Sequence, residues 1–427
     1  MTDLALVERV LAAVDACADE IVDFTSALIR IPTVNPPGDH YTECAEFIGA
    51  QLASCGFDVD YIAAEGRPEH TPAHPRVNVI GRRPGRTARP TVHLNGHFDV
   101  VPAGDAAAWT RDPFGGELAD GRIWGRGTGD QKAGIAASIF AVEAIRRAGV
   151  RLGGTVEQSA TVDEESGGFA GVAELCAQGI CTAADTDHVV ITEPLDLDRV
   201  CLGHRGVLWT EVTARGVAAH GSMPGLGRSA ADAIARLVTR VDAELRPRLA
   251  ERTTAMPVEP PEARRATINC NALHAGQRVD VEQTPMVADI ATAIFDRRYL
   301  VEERLDDVRA ELGALIDRER PRSPGIEWST RERMLVEPVL TRRDAPAALA
   351  FADAVRDVLG RDAAFIASPG TYDQKHVVRI GGVNDCIAYG PGRLVTAHRP
   401  DEYVVVDELV DATKIMALAT LRLLGTA

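Results

Sequence analysis

The chain has 427 residues, of which 45% are hydrophobic and 25% charged, and its net charge is −16. That length exceeds what a single core usually organises, so two domains are expected, and the composition is that of a globular protein. The acidic balance argues against nucleic acid or an anionic membrane surface as a partner.

The opening stretch MTDLALVERVLAAVDACADEIVDF carries acids through an apolar period. It predicts an amphipathic helix to about Leu28 and not a secretory signal. A Pro/Gly loop, IPTVNPPGD, separates it from a second helix running from about Tyr41 to Cys55. The runs FDVDYI, RVNVIG and TVHLNGHFDVV are rich in β-formers, and after GRIWGRGTGD a long Ala/Ile helix extends to about Ala148. Its most apolar part, Ala133 to Ile145, is too short to span a bilayer. A strand (GTVEQSATVD), a helix (FAGVAELCAQ) and a strand (HVVITEP) follow. This alternation predicts an α/β domain whose central sheet is mostly parallel and covered by helices on both faces.

From Gly206 the pattern changes. VLWTEVTARG alternates as a strand, SAADAIARLVTRVDAEL is helical, RATINCNALHAG and MVADIATAIFDR are strands, VEERLDDVRAELGALIDRE is helical, and IEWSTRERML is a strand. The order β-α-β-β-α-β is ferredoxin-like and predicts an α+β domain over 206–338. It is inserted between the two parts of the α/β domain, 1–205 and 339–427. Eight scattered cysteines without a CxxC pair predict reduced, buried thiols and a cytoplasmic protein.

Several polar residues sit where this pattern ends its strands. His97 and Asp99 lie two apart on a predicted strand, so a carboxylate shares the face of an imidazole and can fix its tautomer. His93 and His97 have the spacing of a helical zinc pair, but the Asn-Gly between them and the Val-rich flank indicate strand. GRGTGDQKAG lacks the third glycine of a dinucleotide fingerprint and the Gly-Lys-Ser/Thr of a phosphate loop. Its Asp130 would repel a phosphate and suits a metal instead. TVDEESGG places Asp163, Glu164 and Glu165 side by side, HVVITEP ends on Glu193, and His398 lies in a loop near Asp401 and Glu402. His97, Asp130, Glu165, Glu193 and His398 form a mixed imidazole and carboxylate set that suits zinc, manganese or cobalt. Five ligands exceed the needs of one open zinc site; two ions sharing a carboxylate would use them all.

GHFDVVPAGDAAAWTRDPFGGELADGRIWGRGTGDQKAG closely resembles a signature of the dinuclear zinc amidohydrolase and peptidase family. That family holds acetylornithine deacetylase, succinyl-diaminopimelate desuccinylase, aminoacylase and bacterial glutamate carboxypeptidase. DEESGG, TEP, AAHGSMPGLGRSA and GPGRLVTAHRPDEYV match in the same order, across nearly the whole chain. The resemblance implies a catalytic α/β domain with an inserted lid that forms a homodimer. It implies two divalent ions, zinc first and cobalt or manganese next, one held by His97 and Glu193 and the other by Glu165 and His398, with Asp130 bridging. Asp99 would orient His97, Glu164 would be the general base, and His220 would polarise the scissile carbonyl from the partner's lid. The peptide Asp130–Gln131 is expected to be cis.

Arg298 matches a family residue that binds the substrate carboxylate; Thr371 and Lys375 match further substrate contacts, and the Gly390–Gly392 turn would offer the substrate backbone donors. One departure lies in HAGQRVDVEQTP, where Glu282 stands near the position of a family asparagine. The expected activity is hydrolysis of the amide of an N-acyl amino acid or a related substrate bearing a carboxylate. A dipeptidase, a carboxypeptidase or an N-carbamoyl amidohydrolase of the same family is the alternative. A non-catalytic relative is disfavoured because Glu164 and all five ligands are present.

Overall fold

The computed structural model describes residues 4–277 and 284–426; Glu282 lies outside them. The chain forms two units. One comprises Met1–Gly203, Thr341–Ile366 and Tyr372–Ala427, and the other His204–Leu340 and Ala367–Thr371.

In the first unit the sheet runs, in spatial order, Asp58–Ala63, Val77–Arg83, Thr155–Thr161, Thr91–His97, His188–Ile191, Cys386–Ala388 and Arg199–His204. Four adjacent strands, from Thr155–Thr161 to Cys386–Ala388, are mutually parallel. The strands outside them pair antiparallel. Thr91–His97 and Thr155–Thr161 are buried at every position, as expected where helices cover both faces. The helix Ala133–Arg147 carries the crossover between them and is buried from Ala133 to Ile145. It packs in one layer with helices Leu4–Asp15, Pro346–Leu359 and Val406–Leu424. The shorter helices Val172–Ala177 and Gln374–Arg379 bury their apolar side chains in a separate cluster with His188–Ile191 and Cys386–Ala388. The predicted N-terminal helix is two helices, Leu4–Asp15 and Ala18–Ile29, broken at Ala16–Cys17 where no glycine or proline marks the turn.

Parallel register sets the functional edge. His97 lies opposite Thr161, and Asn95 opposite Ile191. The residues that follow these strands, including Glu164, Glu165 and Glu193, therefore emerge together at the C-terminal end of the sheet.

The second unit has an antiparallel sheet in the order Thr267–Ala275, Ile290–Tyr299, Gly206–Arg215, Glu327–Val336. In chain numbering this is strand order 2-3-1-4, the ferredoxin-like arrangement. Helices Ala230–Arg240 and Leu305–Glu319 share its apolar core. Ser229 starts the first of them, accepting the Asp232 N–H. Among the described residues no helix is long and apolar enough to cross a membrane.

Candidate metal centre

The turn after Thr155–Thr161 decides where its acids point. Asp163 adopts a left-handed conformation (φ 61°), and Gly167 and Gly168 follow with φ of 117° and 76°. This breaks the strand's alternation, so Glu164 and Glu165 sit on a single short 3-10 turn. Asp163 braces that turn: Tyr41 Oη donates to its Oδ1 and Arg76 Nε to its Oδ2, both at 2.9 Å. The Asp99 carboxylate clamps the turn from the neighbouring strand. Its Oδ1 accepts the Glu164 N–H and its Oδ2 the Glu165 N–H, each at 3.1 Å, while Asn35 Nδ2 donates to Oδ2 at 2.9 Å. His97 Nδ1 donates to the backbone carbonyl of Asp99 at 3.0 Å, with Oδ1 of that residue at 3.4 Å. Asp99 thus holds both the imidazole and the acidic turn.

The glycine-rich loop wraps a carboxylate. Glu402 is fully buried, and its Oε1 accepts the backbone N–H groups of Gly127, Gly129 and Asp130 at 3.1, 2.9 and 3.2 Å. Its Oε2 accepts Arg126 Nη1 at 2.5 Å. Glycine is required at 127, where φ is 85° and a Cβ would lie 2.4 Å from Val100. This nest of N–H groups supports the segment that carries Asp130. The Asp130–Gln131 peptide is cis. Gln131 Nε2 donates to Glu193 Oε1 at 2.7 Å, and Thr192 Oγ1 donates to Gln131 Oε1 at 2.6 Å.

The five ligand candidates gather into two groups, His97–Asp130–Glu193 and Asp130–Glu165–His398. Asp130 belongs to both and offers a different oxygen to each. Oδ1 lies 3.0 Å from His97 Nε2, and Oδ2 lies 3.3 Å from His398 Nε2. His97 Nε2 is also 3.9 Å from Glu193 Oε1, and His398 Nε2 is 3.0 Å from Glu165 Oε1. Two neutral-capable imidazoles with three carboxylates are a donor set that fits two divalent ions of the zinc, cobalt and manganese group.

The electrostatics register the concentrated charge. Burial, then the Asp130 charge, raises Glu193 well above the ordinary carboxylate range, and the same causes raise Glu165. Burial also opposes ionisation of Asp130, but hydrogen bonds from His398 and His97 win and hold it below its usual value. Bonds to Asp130 and Glu165 push His398 up to about 10. Acids this close, sharing protons through imidazoles, are stabilised by a cation.

Glu164 belongs to neither group and is met by Lys375, whose Nζ donates to its Oε1 at 2.7 Å. Burial pushes Glu164 up to about 8, against the pull of the Lys375 charge. The substrate-side candidates are dispersed. Gly390 and Gly392 allow close approach: a Cβ at 390 would lie 2.5 Å from the Thr192 carbonyl, and one at 392 would lie 3.0 Å from Gly129 Cα. On the second unit, Arg298 forms a two-point pair with Asp296, Nε to Oδ1 at 2.7 Å and Nη2 to Oδ2 at 3.0 Å. His220 is exposed, with Ser222 Oγ 2.8 Å from its Nδ1. Thr371 closes the short 367–371 segment of that unit. Sequence reasoning missed Glu402, Asp373 and the Lys375–Glu164 pair. All three depend on contacts between segments more than two hundred residues apart.

Two three-residue groups that share one carboxylate, beside the strand ends of an α/β unit, offer ligands for two metal ions. The chain belongs to the peptidase family M20/M25/M40, whose sequence profile matches residues 93–422. It is 36% identical over 225 residues to a succinyl-diaminopimelate desuccinylase of Cereibacter sphaeroides; this covers 52% of the chain and 56% of that relative. The chain therefore spans little more than half the length of those relatives. A succinyl-diaminopimelate desuccinylase of Methylorubrum populi is 30% identical over 403 residues, covering 91% of the chain and 94% of the relative. The crystal structure of human carnosine dipeptidase 1 has the same fold, with a TM-score of 0.77 at 18% identity and 98% of each chain covered.

Proposed function

We propose that this protein is a two-metal amidohydrolase that removes the acyl group from an N-acyl amino acid bearing a free carboxylate. The observation that carries the reading is Asp130, one carboxylate with an oxygen directed to each of two imidazole-containing groups. Relatives named succinyl-diaminopimelate desuccinylase support an acyl amino acid over a dipeptide as substrate.

His97 and Glu193 would hold one ion and Glu165 and His398 the other, with Asp130 between them. When bound, zinc or a similar ion supplies Lewis acidity, polarising the scissile carbonyl and lowering the pKa of water. Glu164 is the proton carrier. It takes a proton from the attacking water and returns it to the leaving amine. That Glu164 sits on the turn braced by Asp99 and Asp163 but outside both ligand groups supports a proton-carrying role over metal ligation. His220 donates to the developing oxyanion, and Arg298, squared by Asp296, clamps the substrate carboxylate. Thr371 and the Gly390–Gly392 turn complete the substrate contacts. The second unit acts as lid and dimerisation surface, so that each His220 serves the partner's site. Free cysteines, all buried except the half-buried Cys270, suit a cytoplasmic protein.

The test is a hydrolysis panel of N-acetyl, N-succinyl, N-formyl and N-carbamoyl amino acids and dipeptides, with and without chelator. N-succinyl or N-acetyl substrates should be cleaved, and chelation should abolish it. Cleavage of dipeptides alone, or turnover that survives complete metal removal, would contradict the reading.

A further inference from the structure

Beneath the metal centre, the two central parallel strands carry a ladder of buried polar side chains. Register pairs His93 with Glu157, Asn95 with Ser159 and His97 with Thr161. Residues two apart share a face, so the ladder runs along one face of the sheet toward the catalytic edge. His93, Asn95 and Ser159 are wholly buried, and Glu157 and Asp373 nearly so.

Its hydrogens point one way. Ser159 has a single O–H, which donates to Asn95 Oδ1 at 2.7 Å. Its oxygen therefore accepts in the 2.7 Å contact with His93, and His93 Nε2 carries a hydrogen. His93 Nδ1 faces Glu157 Oε2 at 3.1 Å, and Glu157 Oε1 meets the half-exposed Arg82 at 3.4 Å. With its oxygen fixed by Ser159, Asn95 must present Nδ2 to Asp373 Oδ2, at 3.1 Å. Thr161 Oγ1 reaches the same oxygen at 3.5 Å. Asp373 Oδ1 has no hydrogen-bond partner among the described residues and is turned toward Gly168, where a Cβ would lie 2.6 Å away. Asp373 stands at the start of the helix Gln374–Arg379, two residues before Lys375, whose Nζ donates to Glu164.

We propose that His93 is a positioning residue for the Glu164–Lys375 pair, acting through Ser159, Asn95 and Asp373. The ladder sets orientation and does not conduct protons. A proton entering Asn95 at its carbonyl oxygen cannot leave at its amide nitrogen without forming the imidic acid. What passes along the ladder is the orientation of the Asn95 amide. With Ser159 fixed, the Asn95 donor is held square to Asp373; with Ser159 released, the amide loses its second anchor and can tilt away from the carboxylate. Asp373 then turns, and Lys375 shifts on Glu164. This inference rests on Glu164 being the proton carrier.

The test compares His93→Leu with His93→Gln, whose amide keeps an N–H near the Nε2 position. His93→Leu is expected to lower kcat about tenfold with KM and metal content unchanged, whereas His93→Gln restores most of it. In a Lys375→Met background the His93→Leu substitution should cost nothing further, because both act on one element. Crystal structures should show the Lys375–Glu164 contact lengthened in His93→Leu and retained in His93→Gln. If His93→Leu does not fold, Ser159→Ala interrupts the same ladder with a smaller change of volume. An unchanged contact with unchanged kcat, or additive losses with Lys375→Met, would overturn the inference. Wild-type protein without amidase activity would sink the functional reading instead, and the structural comparison would still decide the ladder.

Discussion

Removing the Glu402 carboxylate should damage both the stability of the first unit and its hold on metal. Four donors converge on this fully buried group: three backbone N–H groups at 2.9–3.2 Å and Arg126 Nη1 at 2.5 Å. Glu402→Ala removes the carboxylate partner of all four, including a guanidinium that is only 2% exposed and keeps just the Arg399 carbonyl, at 3.2 Å from Nη1. Breaking a buried ion pair by removing one partner costs about 3–5 kcal/mol. For a unit of this size that lowers the unfolding midpoint by on the order of 10 °C. Glu402→Gln keeps an acceptor for the three N–H groups but sets an amide against Arg126, so it should cost roughly half as much. One of the stranded donors is the Asp130 N–H, so zinc affinity should fall by about 10–100-fold in the alanine variant. Differential scanning calorimetry of chelated protein and zinc titration measure the two effects. A midpoint within about 2 °C of wild type, together with unchanged zinc affinity, would refute the role assigned to the nest.

Glu164→Ala should retain both ions while losing most turnover, and Glu165→Ala should lose about one ion per chain; metal analysis beside steady-state kinetics checks both, and the reverse pattern would exchange their roles. His220→Ala should reduce kcat by about 10²–10³ while leaving metal content intact, and an unchanged kcat would remove it from the reaction. Metal binding should be pH-dependent. In the metal-free protein the Asp130 and Glu165 carboxylates push His398 up to about 10, so below that pH an ion must expel a proton to bind. Zinc affinity is therefore expected to rise about tenfold per pH unit from pH 6 to 8 for each proton displaced, and calorimetric titration in buffers of different ionisation enthalpy should register the release. A flat profile would contradict it.

Much of this was legible in the sequence because it depends on local pattern. Alternation and helical period located the strands that end at His97, Thr161 and Ile191, and TVDEESGG set three acids side by side after the second of them. The β-α-β-β-α-β order carried the second unit's sheet without any contact information. What escaped depended on partners far along the chain. Periodicity reports which face of a strand is buried and not the direction of its neighbour, so the antiparallel margins at Asp58–Ala63 and Val77–Arg83 were not visible. GRGTGDQK marked the glycine-rich segment that carries Asp130. That it closes on Glu402 required the fold. Lys375 matched a substrate contact of the family's pattern, and nothing near it in sequence gave a hint of its bond to Glu164, 211 residues away. The break at Ala16–Cys17 had no glycine or proline to mark it.

The central claim is the shared carboxylate, and anomalous scattering from crystals of the zinc-loaded protein tests it most directly. Two peaks per chain are expected, one bound to His97, Glu193 and an oxygen of Asp130, the other to Glu165, His398 and the second oxygen of Asp130, with zinc–nitrogen distances of about 2.0–2.1 Å. A single peak, or two peaks that do not share Asp130, would contradict the account.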